Sequence, residues 1–185
     1  MNKPSISVLI SSYNYQDYVV EAVQSALSQT YPPLEVIVVD DGSQDESVAR
    51  LTQAFDKHPK VSVFTQPNSG QMAAWITGCA KANGDVVALL DSDDLWNSNY
   101  LEKMAAIYEA SPSLDYVYCN MQKFGASEGL VLNRKRHQKS RDQDQRHFMS
   151  LFPFWECWFL EQCNGVGFSH SHSLDPNIPL KFRYQ

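Results

Sequence analysis

The residues best equipped for chemistry in this sequence are two sets of aspartates: Asp40 and Asp41 in LEVIVVDDGS, and Asp91, Asp93 and Asp94 in DVVALLDSDDLW. Each set follows an oily, β-branched run, so each is expected where a buried strand ends and a loop begins. Carboxylates this close repel one another, and ionising all of them is costly unless a cation shares the site. Oxygen-only ligands favour Mg²⁺ or Mn²⁺, and an ion held by one or two carboxylates completes its shell with water and substrate phosphates. Asp91–Asp94 alone would also fit a plain turn and helix cap. A second acidic pair at the end of another strand favours the ligand site.

The elements that position these acids alternate along the first half of the chain. Strands are expected at ISVLI (Ile6–Ile10), LEVIVV (Leu34–Val39), VSVF (Val61–Phe64), DVVALL (Asp85–Leu90) and YVYCN (Tyr116–Asn120). Between them lie helical patterns. The first has an apolar face of Tyr18, Val19, Ala22, Val23, Ala26 and Leu27, closed by Pro32 and Pro33. The second opens on a Ser43–Glu46 capping box and buries Val48, Leu51 and Phe55. The third runs through Met72, Ala73, Ile76, Cys79 and Ala80 to an Asn83-Gly84 turn, where glycine would supply a left-handed end. The fourth is capped by Asn97 or Ser98 and buries Leu101, Met104, Ala105 and Tyr108. Strand and helix in alternation predict βαβ units, an α/β fold with a mostly parallel sheet. Ligands of such sheets bind outside the carboxyl ends of the strands. That rule selects Ser11–Tyr13, Asp40–Asp41, the Asn68–Gln71 turn containing Gly70, and Asp91–Asp94, all at one edge.

At 185 residues the chain fits one domain, or one domain with an extension, and 43% hydrophobic residues suit a globular core. The net charge of −6 argues against a dedicated nucleic-acid binder and suits a protein that holds cations. Cys79, Cys119, Cys157 and Cys163 form no CxxC pair, and the N-terminus lacks a signal-peptide pattern, so a reducing, cytoplasmic setting is expected. Cys157, Cys163, His170 and His172 match no common zinc spacing and read as ordinary thiols and imidazoles. No apolar run approaches the roughly 20 residues of a membrane span.

Taken in order, SISVLISSYNYQDYVVEAVQSALSQTYPPLEVIVVDDGSQDES, QPNSGQMAAW and NGDVVALLDSDDLW resemble the inverting family 2 glycosyltransferases, over about Ser5 to Tyr118. The resemblance implies a GT-A fold, a Rossmann-like αβα sandwich, and a nucleotide-sugar donor, usually UDP-linked, bound with Mg²⁺ or Mn²⁺. It further implies that Ser11 and Tyr13 contact the base, that Asp41 reads the uracil edge with Asp40 beside it, and that Asp91 and Asp93 form the D-x-D element. Asp93 would lie near ribose and metal, and Asp94 would touch the ion. The implied reaction moves a sugar to an acceptor hydroxyl with inversion, in polysaccharide biosynthesis at the inner face of the membrane. The acceptor, whether glycan, lipid-linked or protein, is left open. A non-catalytic nucleotide-sugar and metal-binding module is the alternative.

Residues 1–132 are accordingly expected to form the nucleotide-sugar-binding domain. Residues 133–147 are expected to be a charged loop, and 148–185 an atypical tail in place of a complete acceptor region. In the charged loop, Arg134, Lys135, Arg136, Lys139 and Arg141 read as a solvated linker or as a face for phosphate or a peripheral membrane contact. The tail has no clean period. Glu156, Glu161 and Asp175 lie in no motif of the family, so the general base is unassigned. Two readings of the chain follow: the donor half of a longer enzyme, which is preferred, or a compact variant whose tail builds its own acceptor wall. Ile76 stands where many family members carry Asn. Rival functions lack their signatures: no glycine-rich basic loop follows the first strand, no D-x-D nucleophile ends it, and no GxGxxG follows a strand.

Overall fold

Residues Ile6–Ser12 form a strand, β1, buried at every position, as a run of apolar residues and serines with both faces covered should be. In the computed structural model, which describes residues 3–112, 114, 117, 120–125, 129–131 and 179–184, β1 pairs in parallel on both sides. Its neighbours are β2 (Glu35–Asp40) and the later strand β4 (Val86–Asp91), with β3 (Val61–Thr65) beyond β2. The order β3-β2-β1-β4 is all parallel, the expected architecture. The connecting helices are α1 (Val19–Leu27), α2 (Ser47–Phe55) and α3 (Gln71–Cys79), and α4 (Tyr100–Ala110) follows β4.

Alternation along the strands divides the core in two. Ile6, Val8 and Ile10 join Val36, Val38 and Leu90 in a cluster with the inner faces of α1, α2 and α4. Leu9, Ile37 and Val39 turn to the other side and meet Ala74 of α3. Each of the buried Val, Leu and Ile side chains among these contributes about 1.5–3 kcal/mol of transfer free energy. The backbone of α3 comes so close to the sheet that a Cβ at Gly78 would lie 2.1 Å from Cδ1 of Leu9. This accounts for the small residues, Ala74 and Gly78, that α3 buries. The expected face of Met72, Ala73, Ile76 and Cys79 is only half-buried, and Ala80 is exposed.

Local starts and stops differ from the sequence patterns, each for a visible reason. The Ser43–Glu46 box does not form, because Ser43 is held by Asp40, and α2 begins at Ser47 beside the Asp45 carboxylate. Val48 and Tyr108 are half-buried rather than buried. Neither Asn97 nor Ser98 caps α4. Its N-cap is Asn99, without a side-chain bond, and the cap is supplied from a distance by Gln29, which is 7% exposed. The Gln29 amide donates to the carbonyls of Ser25 and Asn97, both at 2.9 Å, and its Oε1 accepts the Leu101 N–H at 3.0 Å, joining the end of α1 to the start of α4. Gly84 is not left-handed. It is needed because a Cβ there would sit 2.5 Å from the backbone nitrogen of Ser7.

A second sheet, order β6-β5-β7, contains β5 (Asn120–Gly125), β6 (Gly129–Val131) and β7 (Pro179–Tyr184). The fifth strand thus starts at Asn120, where the expected one ended; of the others in Tyr116–Asn120, only Val117 is among the described residues. Residues 179–184, in the tail without a sequence period, pair in parallel with β5. The charged loop 133–147, the tail carboxylates Glu156, Glu161 and Asp175, and Cys119, Cys157, Cys163, His170 and His172 lie outside the described residues. Among those described, no helix is long and apolar enough to cross a membrane.

Candidate functional site

The carboxyl ends of the strands are level. Ser11 is in register with Asp91 of β4 and Val39 of β2, Ser12 with Asp40, and Asp40 with Thr65. Pairing continues past the strands, with Asp41 N–H donating to Ser12 O at 2.8 Å and Gln66 N–H to Asp40 O at 3.0 Å. The expected edge therefore exists, with side chains leaving it on both faces of the sheet.

On the α3 face, carboxylates from two strands clasp the start of the helix. Asp41, 3% exposed, accepts the Gln66 amide at 2.7 Å, the Ser69 N–H at 3.0 and 3.1 Å, and the Gly70 N–H at 2.7 Å. The Gly70 N–H is at the N-cap of α3, one of the donors a helix start leaves unsatisfied, and the negative charge suits the positive end of the helix dipole. Gly70 adopts a φ of 88°, which turns the chain from the Asn68–Gln71 segment into α3. From β4, Asp91 accepts the Gln71 amide at 2.9 Å. Between the two acids lies the Ser11 hydroxyl, reached by the Trp75 indole at 3.1 Å and the Gln71 amide at 3.4 Å. Ser11, Asp41, Gly70 and Asp91 are thus brought together.

On the opposite face, Asp40 is 1% exposed and holds its own turn, accepting the Ser43 N–H at 2.8 Å and the Ser43 hydroxyl at 2.5 Å. The loop after β1 is laced to this turn. Asn14, at a φ of 58°, donates its N–H to Ser43 Oγ at 2.9 Å and accepts the Gln44 N–H at 2.7 Å. Tyr15 N–H reaches Ser47 Oγ at 3.1 Å, and Gln16 N–H reaches Asp45 at 3.0 Å. Gly42, at a φ of 79°, stands so close to the next loop that a Cβ would lie 2.8 Å from Asn68 N. Tyr13 is 42% exposed.

The turn after β4 closes with Asp94 N–H on Asp91 O at 3.1 Å, leaving Asp94 buried and Asp93 half-buried. Burial, then the neighbouring Asp93 charge, raise the pKa of Asp91 above the usual carboxylate value, against the opposing hydrogen bond from Gln71. Tyr15 is also raised, by burial first and then by the charges of Asp93, Asp91 and Asp94. The Tyr15 hydroxyl thus feels the acidic cluster. Sequence reasoning missed Tyr15, Gln66 and the Gln71–Trp75 pair. The last had a legible signal, two polar-tipped side chains four apart on one helix face just after the PNSG turn.

Among the described residues, no three Asp, Glu, His or Cys side chains gather into a set that could hold a cation unaided. The donors around Asp91–Asp94 are oxygens, which suits a hard divalent ion sharing its shell with a ligand.

The family model described as glycosyl transferase family 2 matches residues 7–169. An uncharacterized glycosyltransferase of Nostoc sp. is 42% identical over 107 residues, which are 57% of this chain and 33% of that one. The chain thus spans a third of the length of this relative. Among solved structures, the mannosyltransferase PcManGT from Pyrobaculum calidifontis in complex with GDP-Man and Mn²⁺ is 26% identical with a TM-score of 0.59, covering 66% of this chain and 37% of that one. S. aureus TarS 1–349 in complex with UDP-GlcNAc is also 26% identical with a TM-score of 0.59, covering 74% and 37%.

Proposed function

The chain belongs to glycosyl transferase family 2, with a GT-A type α/β fold, and on that footing we propose that its aligned strand ends hold a nucleotide-sugar donor, a UDP-sugar, for transfer of the sugar to an acceptor hydroxyl with inversion. The observation that carries this reading is the convergence of Asp41, just past β2, and Asp91, at the end of β4, on the start of α3, with the Asp93 charge beside Asp91. The complexes of PcManGT with GDP-Man and Mn²⁺ and of TarS with UDP-GlcNAc support a nucleotide-sugar ligand and a divalent ion.

Each residue has a task that its chemistry permits. Ser11, Tyr13 and Gly70 line the base and ribose; Tyr13 offers an exposed ring for stacking. Asp41 accepts a base N–H with the same carboxylate that fixes the Asn68–Gln71 turn, so base and turn are set by one group. Asp40 supports this from below through Ser43. Asp93 and Asp94 would hold Mg²⁺ or Mn²⁺, with diphosphate and water completing the shell. A cation bound there supplies positive charge to the departing diphosphate. Removal of the acceptor's proton needs a carboxylate on the opposite side of the sugar.

Calorimetry with UDP and Mn²⁺ tests the reading. Saturable binding that disappears with EDTA is expected, and Asp93→Ala should abolish the metal-dependent part while leaving the melting temperature in place. Undiminished Mn²⁺-dependent binding by that variant contradicts the assignment.

A further inference from the structure

We infer that Gln71 is a positioning residue for the donor site, tying the Asp91 carboxylate of β4 to the Ser11 hydroxyl of β1 from the first residue of α3; the inference rests on the donor-site reading above. An ionised carboxylate only accepts hydrogen bonds, so the end of the Gln71 amide that meets Asp91 at 2.9 Å is its nitrogen. Its other N–H is directed at Ser11 at 3.4 Å, where the Trp75 indole, one helical turn on, also donates at 3.1 Å.

Two consequences follow for the ligand. A serine hydroxyl has two acceptor lone pairs and one proton. With Gln71 and Trp75 both donating to Ser11, its remaining capacity is that of a donor, suited to a carbonyl or phosphate oxygen of a nucleotide and not to an N–H. The second concerns Asp91, which is half-buried beside Asp93. The Gln71 amide, donating at 2.9 Å, fixes the orientation of this carboxylate at the strand edge.

The test compares Gln71→Ala with the nearly isosteric Gln71→Glu in the 185-residue chain, measuring UDP affinity in the presence of Mn²⁺ at neutral pH and the melting temperature without ligand. Gln71→Ala removes one hydrogen bond to a charged acceptor at an exposed position, and a loss of affinity of about tenfold is expected. Gln71→Glu keeps the size and shape but sets a carboxylate against Asp91, so a larger loss is expected, with neither variant shifting the melting temperature. A side chain that merely fills space would give the reverse order, Glu being the milder change. Affinity for Gln71→Glu equal to or tighter than that for Gln71→Ala overturns the inference, as do equal losses accompanied by a lowered melting temperature in both. Unchanged binding in Gln71→Ala overturns it alone, whereas no UDP binding by the unaltered chain overturns the donor-site reading and this inference together.

Discussion

The Asp41 carboxylate takes three donors from the loop after β3, two of them backbone N–H groups at the start of α3. Asp41→Asn would keep the size but present an NH₂ to at least one N–H, leaving a buried donor without an acceptor. A loss of stability of about 1–3 kcal/mol is expected, read from the urea midpoint, together with loss of UDP binding; an unchanged midpoint would mean that the turn is held by its own backbone. The acids themselves were legible in the sequence, because a carboxylate directly after an oily run marks the point where a buried strand emerges at the sheet edge. Their division of labour was not. Which oxygen meets which N–H depends on the approach of α3, and no spacing rule encodes that. Tyr15 escaped for the same reason: its relation to Asp91, Asp93 and Asp94 arises across the fold.

At the scale of elements, the four parallel strands and four helices follow from period and length, and the predicted cores hold at Val19, Ala22, Val23 and Ala26 of α1 and at Leu101, Met104 and Ala105 of α4, whereas Tyr18, Leu27 and Tyr108 are half-buried. The caps fail where a partner from elsewhere wins, as when Gln29 serves the start of α4 in place of Asn97 or Ser98. The face of α3 fails because contact with the sheet is set by close approach, which selects Ala74 and Gly78 over larger apolar residues. That approach is testable. Gly78→Ala should gain about 1 kcal/mol of helix propensity yet lose about 1–3 kcal/mol to overpacking against Leu9, a net drop in thermal stability. Leu9→Ala, which alone costs about 2–5 kcal/mol at this buried position, removes the clash, so the double variant should lose less than the sum of the two single changes. Simple additivity of the two changes would place the conflict elsewhere.

For the whole molecule, pH is the lever most directly tied to structure. Asp85 is held below the usual 3.8, chiefly by the Ser5 hydroxyl and then by the Ser5 N–H, joining the chain before β1 to the start of β4. The folded state therefore gives up this proton more readily than the unfolded one. The stabilisation is complete above the unfolded value and fades as pH falls through the folded one. Asp85→Asn should be less stable than the parent at about pH 6, with the gap narrowing as pH falls below the usual carboxylate value, compared by urea midpoints; a constant gap would assign the effect to something other than ionisation. The tail was the least legible part of the chain. Residues 179–184 carry no diagnostic pattern because β7 is defined by a partner, β5, more than fifty residues earlier.

The lacing of the loop after β1 to the turn after β2 has a consequence for anyone borrowing parts between glycosyltransferases. Asn14, Tyr15 and Gln16 are stitched to Ser43, Gln44, Asp45 and Ser47 by side chains of both segments. A transplant of either segment alone would arrive with half of its fasteners missing, so the two form a single heritable cassette.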